Sequence, residues 1–243
     1  MPNFVVRLMI MLALLLPFCN VFAADKDVEA KIGAKAIAIP VPKDFSDPSL
    51  MFPKLRQLGE AMTPPSNRLL AFFISDDDAK AMLAQAEPQL HRYFLVQTLR
   101  AKEDSTMSAQ VFAGVRDQLK NQYKKILDDN AARMQSEMNK AVERLDQNGQ
   151  VKNISMKLGE LQVREVIDDE RFVALIAKTL VQVMVSGEAK EIPMVLGLTT
   201  TMIEGKIVYF FSYSRFDSDE DMNWIKTKNL EWLTLFFYAN KAK

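Results

Sequence analysis

Residues 158–214 read LGELQVREVIDDERFVALIAKTLVQVMVSGEAKEIPMVLGLTTTMIEGKIVYFFSYS, and the fold class turns on this stretch. Long apolar and alternating runs, rich in Val, Ile, Leu, Thr and aromatic residues, are cut by short turn pairs. Asp168-Asp169 separates Leu158–Ile167 from Phe172–Val185. Ser186-Gly187-Glu188 separates that run from Ile192–Ile203, and Glu204-Gly205 leads into Lys206–Ser214. Four consecutive strands joined by tight turns make an antiparallel meander.

The meander is flanked by helices. Downstream, Asp217-Ser218-Asp219-Glu220-Asp221 precedes Met222–Asn240, where Trp224, Leu230, Leu233 and Phe237 mark a buried side. Acids at that end complement the helix dipole and cap the free N–H groups. Upstream, Ser105 is positioned to cap a helix running from Thr106 to about Gln147. Val111, Val115, Leu119, Tyr123, Ile126, Met134, Met138, Val142 and Leu145 recur three or four residues apart along it. Asn148-Gly149 supplies its left-handed stop. Unbroken, it would extend about 60 Å.

Further upstream, Tyr93–Leu99 and the continuous apolar run Arg68–Ile74 read as strands, the latter covered on both faces. Ser75-Asp76-Asp77-Asp78 opens a short capped helix between them. Asp47–Met62 is expected to be a helix with Asp47 at its cap, its start delayed if Pro53 intervenes. Lys31–Val41 reads as one short strand ended by prolines, behind a polar tail over residues 24–30. The expected architecture is α+β: an α/β/α sandwich with a central, mostly antiparallel sheet of about seven strands, one long helix and a C-terminal helix. A single domain over residues 24–243 is expected. Residues 130–150 would form a projecting helical arm, because apolar side chains thin there to a narrow seam. Met134, Met138, Val142 and Leu145 are the expected partner-binding residues of that seam.

Residues 1–23 carry the pattern of a secretory signal peptide. Arg7 precedes an apolar core, Leu8–Phe18, and Val21-Phe22-Ala23 offers small residues three and one positions before a cut at Ala24. The only cysteine, Cys19, follows Pro17 and Phe18 rather than the small residues of a lipidation signal. Cleavage would remove it and leave no transmembrane segment, and a periplasmic or secreted location is expected.

Composition closes many chemical routes. Lys+Arg and Asp+Glu both number 31, so no charge excess points to nucleic acid. One Cys and one His leave little for zinc sites or nucleophilic dyads. His91 has no nucleophile-elbow motif near it, and no phosphate-binding glycine motif occurs. The acidic clusters Asp76–Asp78 and Asp217–Asp221 lack the calcium-loop pattern and sit where helix caps belong. Met134, Met138 and Met156 have ordinary helix and strand spacing, which favours packing over copper ligation. Lys120, Lys124 and Lys125 are offset by Asp117, Asp128 and Asp129. No catalytic residue, cofactor or metal is expected.

The order of elements, with IEGKIVYFFSYSRF running into DSDEDMNW and LEWLTLFFYAN over residues 203–240 and IAIPVP at residues 37–42, resembles the PsbP-like α/β/α sandwich. That superfamily is named for an extrinsic photosystem II subunit and is shared by a Ran-binding import factor. Residues 203–240 look like the C-terminal half of uncharacterised exported bacterial proteins with this fold, and the chain departs from photosynthetic members in the long helix beyond Asn130. The resemblance implies a non-enzymatic accessory or binding role through protein–protein contacts, with an envelope protein or a second copy as partner. A carboxylate-based hydrolase is the alternative reading. Mass spectrometry of the protein from an envelope fraction should give an N-terminus at Ala24 or Asp25; Met1 retained on membrane-bound protein would contradict export with cleavage.

Overall fold

The computed structural model describes residues 27–49, 51–147, 154–185 and 188–241. The meander is present as β7 (Gln162–Asp169), β8 (Phe172–Val185), β9 (Glu188–Ile203) and β10 (Lys206–Arg215), each antiparallel to the next. Its first run divides in two. Ile154–Leu158 forms a separate strand, β6, and both β6 and β7 pair with the same edge of β8. The break falls at Gly159, whose N–H donates to Leu180 O at 2.8 Å. A Cβ there would lie 2.7 Å from that oxygen, so only glycine allows the approach.

On its other side β10 pairs with β5 (Arg92–Leu99), β5 with β4 (Asn67–Ser75), and β4 with the short β3 (Phe45–Ser46). The result is an eight-stranded antiparallel sheet in the order β3-β4-β5-β10-β9-β8, with β6 and β7 along the last edge. The expected single strand over 31–41 is instead a hairpin, β1 (Val28–Ile32) and β2 (Lys35–Ile39), which takes in part of the expected polar tail. Gly33 makes the turn at φ +57°.

One face of the sheet is covered by that hairpin and by helix α4 (Asp219–Ala239). Ser218 and Asp221 close a capping box at its start. Trp232 of α4 meets Phe73, Phe94 and Phe210 edge-on at 5.8, 4.9 and 4.6 Å between ring centroids, and its Nε1–H donates to Pro40 O at 2.7 Å. Asn240 exchanges two hydrogen bonds with the Ala38 backbone, fixing the far end of α4 to β2. Ile32, Ile37 and Ile39 fill the space between helix and sheet.

The opposite face carries α1 (Pro53–Met62), α2 (Asp76–Leu83) and α3 (Ala109–Gln147). Helices on both sides of the sheet give the expected α/β/α layering. Helix α1 starts at Pro53, not Asp47, because proline suits the first helical turn where no N–H partner is needed. Ser108, not Ser105, caps α3 by accepting from Val111 N–H. The proposed stop at Asn148-Gly149 lies outside the described residues.

The projecting arm is corrected. Helix α3 continues without interruption to Gln147, and its second half lies against the domain rather than away from it. Val142 and Leu145 are buried. Arg144 donates to the carbonyls of Ala61 and Thr63 at the end of α1, and Gln135 bonds Met156 O and Leu158 N–H on β6. A narrow apolar seam serves an intramolecular neighbour as well as a foreign one, and α1 with β6 is that neighbour here.

Gly197 on β9 is closely approached by both the neighbouring strand and α4. A Cβ there would stand 2.3 Å from Ser212 Oγ and 3.2 Å from Ile225 Cγ2. Gly197→Ala should lower stability by about 1–3 kcal/mol through overpacking, read as a lower denaturant midpoint at unchanged slope. An unchanged midpoint would show that β9, β10 and α4 have slack there.

Candidate functional site: an apolar crevice beneath the long helix

Helix α3 has 39 residues, of which only Phe112, Val142 and Leu145 are fully buried. Polar contacts hold it near both ends. At the start, Met107 N–H donates to Gly205 O at 2.9 Å, and Arg116 donates to Asp169 O. Lys120 and Arg116 reach Asp168 at 2.9 and 3.5 Å. At the far end are the Gln135 and Arg144 contacts with β6 and α1. The turn expected at Asp168-Asp169 falls instead at Glu170-Arg171: Asp168 and Asp169 are the last residues of β7, paired with Val173 and Phe172, and there they receive the helix. Arg171 holds the Asp169 carboxyl below its ordinary range through a hydrogen bond.

Between these attachments the helix spans a gap. Leu119, Tyr123, Ile126 and Leu127 face Val173 and Leu175 of β8 and Leu198 and Thr200 of β9 across a cavity of about 150 Å³. Seven of these eight side chains are aliphatic or aromatic. The crevice is partly open, with Val173 and Leu175 buried at its floor and the α3 side chains half-buried over it, and its volume is comparable to that of apolar cavities that accept a benzene-sized guest. The strands alternate, so the same residues that face α3 are one step out of register with the Phe172, Ala174 and Thr199 set facing α4.

On the same side of the sheet, β5 and β10 carry a row of rings. Tyr93 and Tyr213 are cross-strand partners, stacked 4.6 Å apart at 18°, and Tyr209 and Phe211 continue the row on β10. Phe72 of β4 meets Tyr93 edge-on at 6.1 Å. Burial pushes the Tyr213 hydroxyl up to about 12. Burial, and then the charge a neighbouring Tyr213 phenolate would carry, push Tyr93 strongly in the same direction.

The expected candidates are scattered. Val142 and Leu145 are sealed against the domain, while Met134 and Met138 are half-buried on the same helix. His91 is exposed at the entry to β5, its carbonyl accepting from Arg215 N–H. Both acidic clusters stand at helix starts, and their buried members are taken up in structural bonds. Asp76 accepts from Ser46 Oγ at 2.7 Å. Asp78 accepts from Ser75 Oγ and from the amides of Gln89 and Leu90. Burial raises the Asp221 carboxyl, but the amides of Asp217 and Ser218 and the Arg92 guanidinium at 2.9 Å outweigh it and hold the group low. Among the described residues no group of three or more His, Cys, Asp or Glu is placed to hold a metal ion. None of the described helices is long and apolar enough to cross a membrane.

The α3 stripe from Leu119 to Leu127 was visible in the sequence as an apolar face. The tyrosine row was not, because it depends on the β5–β10 register. No family model, curated protein or solved structure matches the chain. The class is therefore set by architecture and site: a three-layer α+β domain with an apolar crevice beneath its longest helix.

The buried phenols give the site a pH signature. A tyrosine whose pKa rises on folding contributes its full stabilisation below its unfolded value of 10.0, and the contribution is lost as pH climbs from there through about 12. Stability of the protein should fall across that window, and a Tyr93→Phe/Tyr213→Phe variant should fall less steeply. An identical slope in the variant would place both hydroxyls in water.

Proposed function

We propose that the protein is an exported, non-enzymatic accessory or binding protein that acts in the periplasm through protein–protein contacts, with the α3 crevice as its contact site. The observation that carries this reading is the mechanical arrangement of α3. Side chains anchor it near both ends, and its middle rests on a void lined by apolar groups. A helix held this way can shift outward at its centre by small changes over several turns, admitting an apolar side chain of a partner without breaking the end contacts. The site is adapted to take up surface, because its lining has aliphatic, aromatic and hydroxyl groups but no charged ones. The resemblance to the PsbP-like sandwich supports the same accessory role.

The hydrolase alternative needs a carboxylate free to accept a proton. Asp78 and Asp221 already accept two or more hydrogen bonds each, and those to Asp221 hold its carboxyl in the charged form.

Leu175→Phe should fill the crevice. The variant is expected to melt at or above the wild-type temperature while losing capture of its partner from envelope extract. Capture at the wild-type level by a stably folded Leu175→Phe protein would move the contact site elsewhere.

A further inference from the structure

A second cavity lies away from the crevice, where the end of α1, the start of β4 and the end of α3 converge. It measures about 220 Å³ and is lined by Glu60, Thr63, Pro64, Pro65, Asn67, Leu69, Arg100 and Arg144 among the described residues. We infer that it is a binding site for a small carboxylate, with Arg100 as the principal anchor and Arg144 beside it.

The argument rests on how the two guanidinium groups are held and what they have left over. Arg100 Nε donates to Asn67 O at 2.8 Å. Arg144 uses Nε and Nη2 on the carbonyls of Ala61 and Thr63. These bonds hold Arg144 by two nitrogens and Arg100 by one, and neither terminal nitrogen of Arg100 nor Nη1 of Arg144 has a partner among the described residues. Oriented guanidinium donors with free N–H groups match the two oxygens of a carboxylate.

The floor is equally fixed. Asn67 Nδ2 donates to Gln97 Oε1 at 2.9 Å, Gln97 Nε2 to Thr63 Oγ1 at 3.4 Å, and Thr63 Oγ1 to Gly59 O at 2.8 Å. Gln97 and Thr63 are buried, so this chain is rigid. Pro64, Pro65 and buried Leu69 add an apolar wall, which suits the hydrocarbon stem of an organic acid better than a bare inorganic anion. Glu60 stands on the rim, paired with Arg56 Nε at 3.0 Å. Its charge opposes an anion, so it weakens the site and provides an internal control of opposite sign.

The test is a calorimetric titration of the purified protein with succinate at constant ionic strength, with inorganic phosphate as a parallel arm. Succinate should bind saturably. Arg100 is exposed, so Arg100→Gln should fold normally and bind about tenfold or more weakly. Glu60→Gln should bind more tightly than wild type. Absence of saturation, equal affinity in Arg100→Gln, or weaker binding in Glu60→Gln would overturn the assignment. Phosphate binding more tightly than succinate would overturn the carboxylate as the ligand class.

Discussion

The edge of β8 constrains everything on the α3 side of the molecule. This strand pairs with β9 along its whole length, and its other edge is shared in sequence by β6 and β7. Because β6 follows α3 in the chain, the end of the helix is tied to the tip of the β8–β9 ladder. Its beginning is tied through Met107 to the β9–β10 turn. A helix attached to both ends of one ladder must cross the face between them. The side chains it carries there, Leu119 to Leu127, do not fill the distance to Val173, Leu175 and Leu198, and a void remains.

The two faces of the sheet are built to different standards. On the α4 side, Trp232, Phe236 and three aromatic residues of the sheet interlock edge to face, with the indole N–H satisfied by Pro40. Close packing of this kind resists change in volume. On the α3 side, contacts are concentrated in polar fastenings, and the centre is loosely filled. The first face accounts for a stable scaffold, and the second leaves freedom where a binding function needs it.

Much of this layout was legible in the sequence because it is local. The turn pair at 204–205, the capping residues Ser75 and Ser218, and the unbroken apolar run at 68–74 each specify structure within a few residues, while the turn read at 168–169 forms two residues later, at 170–171. What escaped reading depends on distant partners. Gly33 turns a hairpin that resembles one strand, since lysines at 31 and 35 mask the alternation of Ile32, Ile37 and Ile39. The seam of Met134, Met138, Val142 and Leu145 has the width of a helix–helix contact, and nothing local distinguishes α1 from a foreign helix as its partner. Arg100 and Arg144 line one cavity only because the end of α1 and the start of β4 converge there, and Tyr93 meets Tyr213 only through strand register.

The crevice beneath α3 is the feature on which the functional reading depends, and xenon is its most direct probe. An apolar crevice of about 150 Å³ offers xenon the kind of surface it binds in apolar cavities. Crystals pressurised with xenon should show the gas bounded by Tyr123, Ile126, Leu175 and Leu198, and Leu175→Phe should exclude it. Electron density in which those side chains close on one another, with no xenon between helix and sheet, would contradict the presence of the crevice.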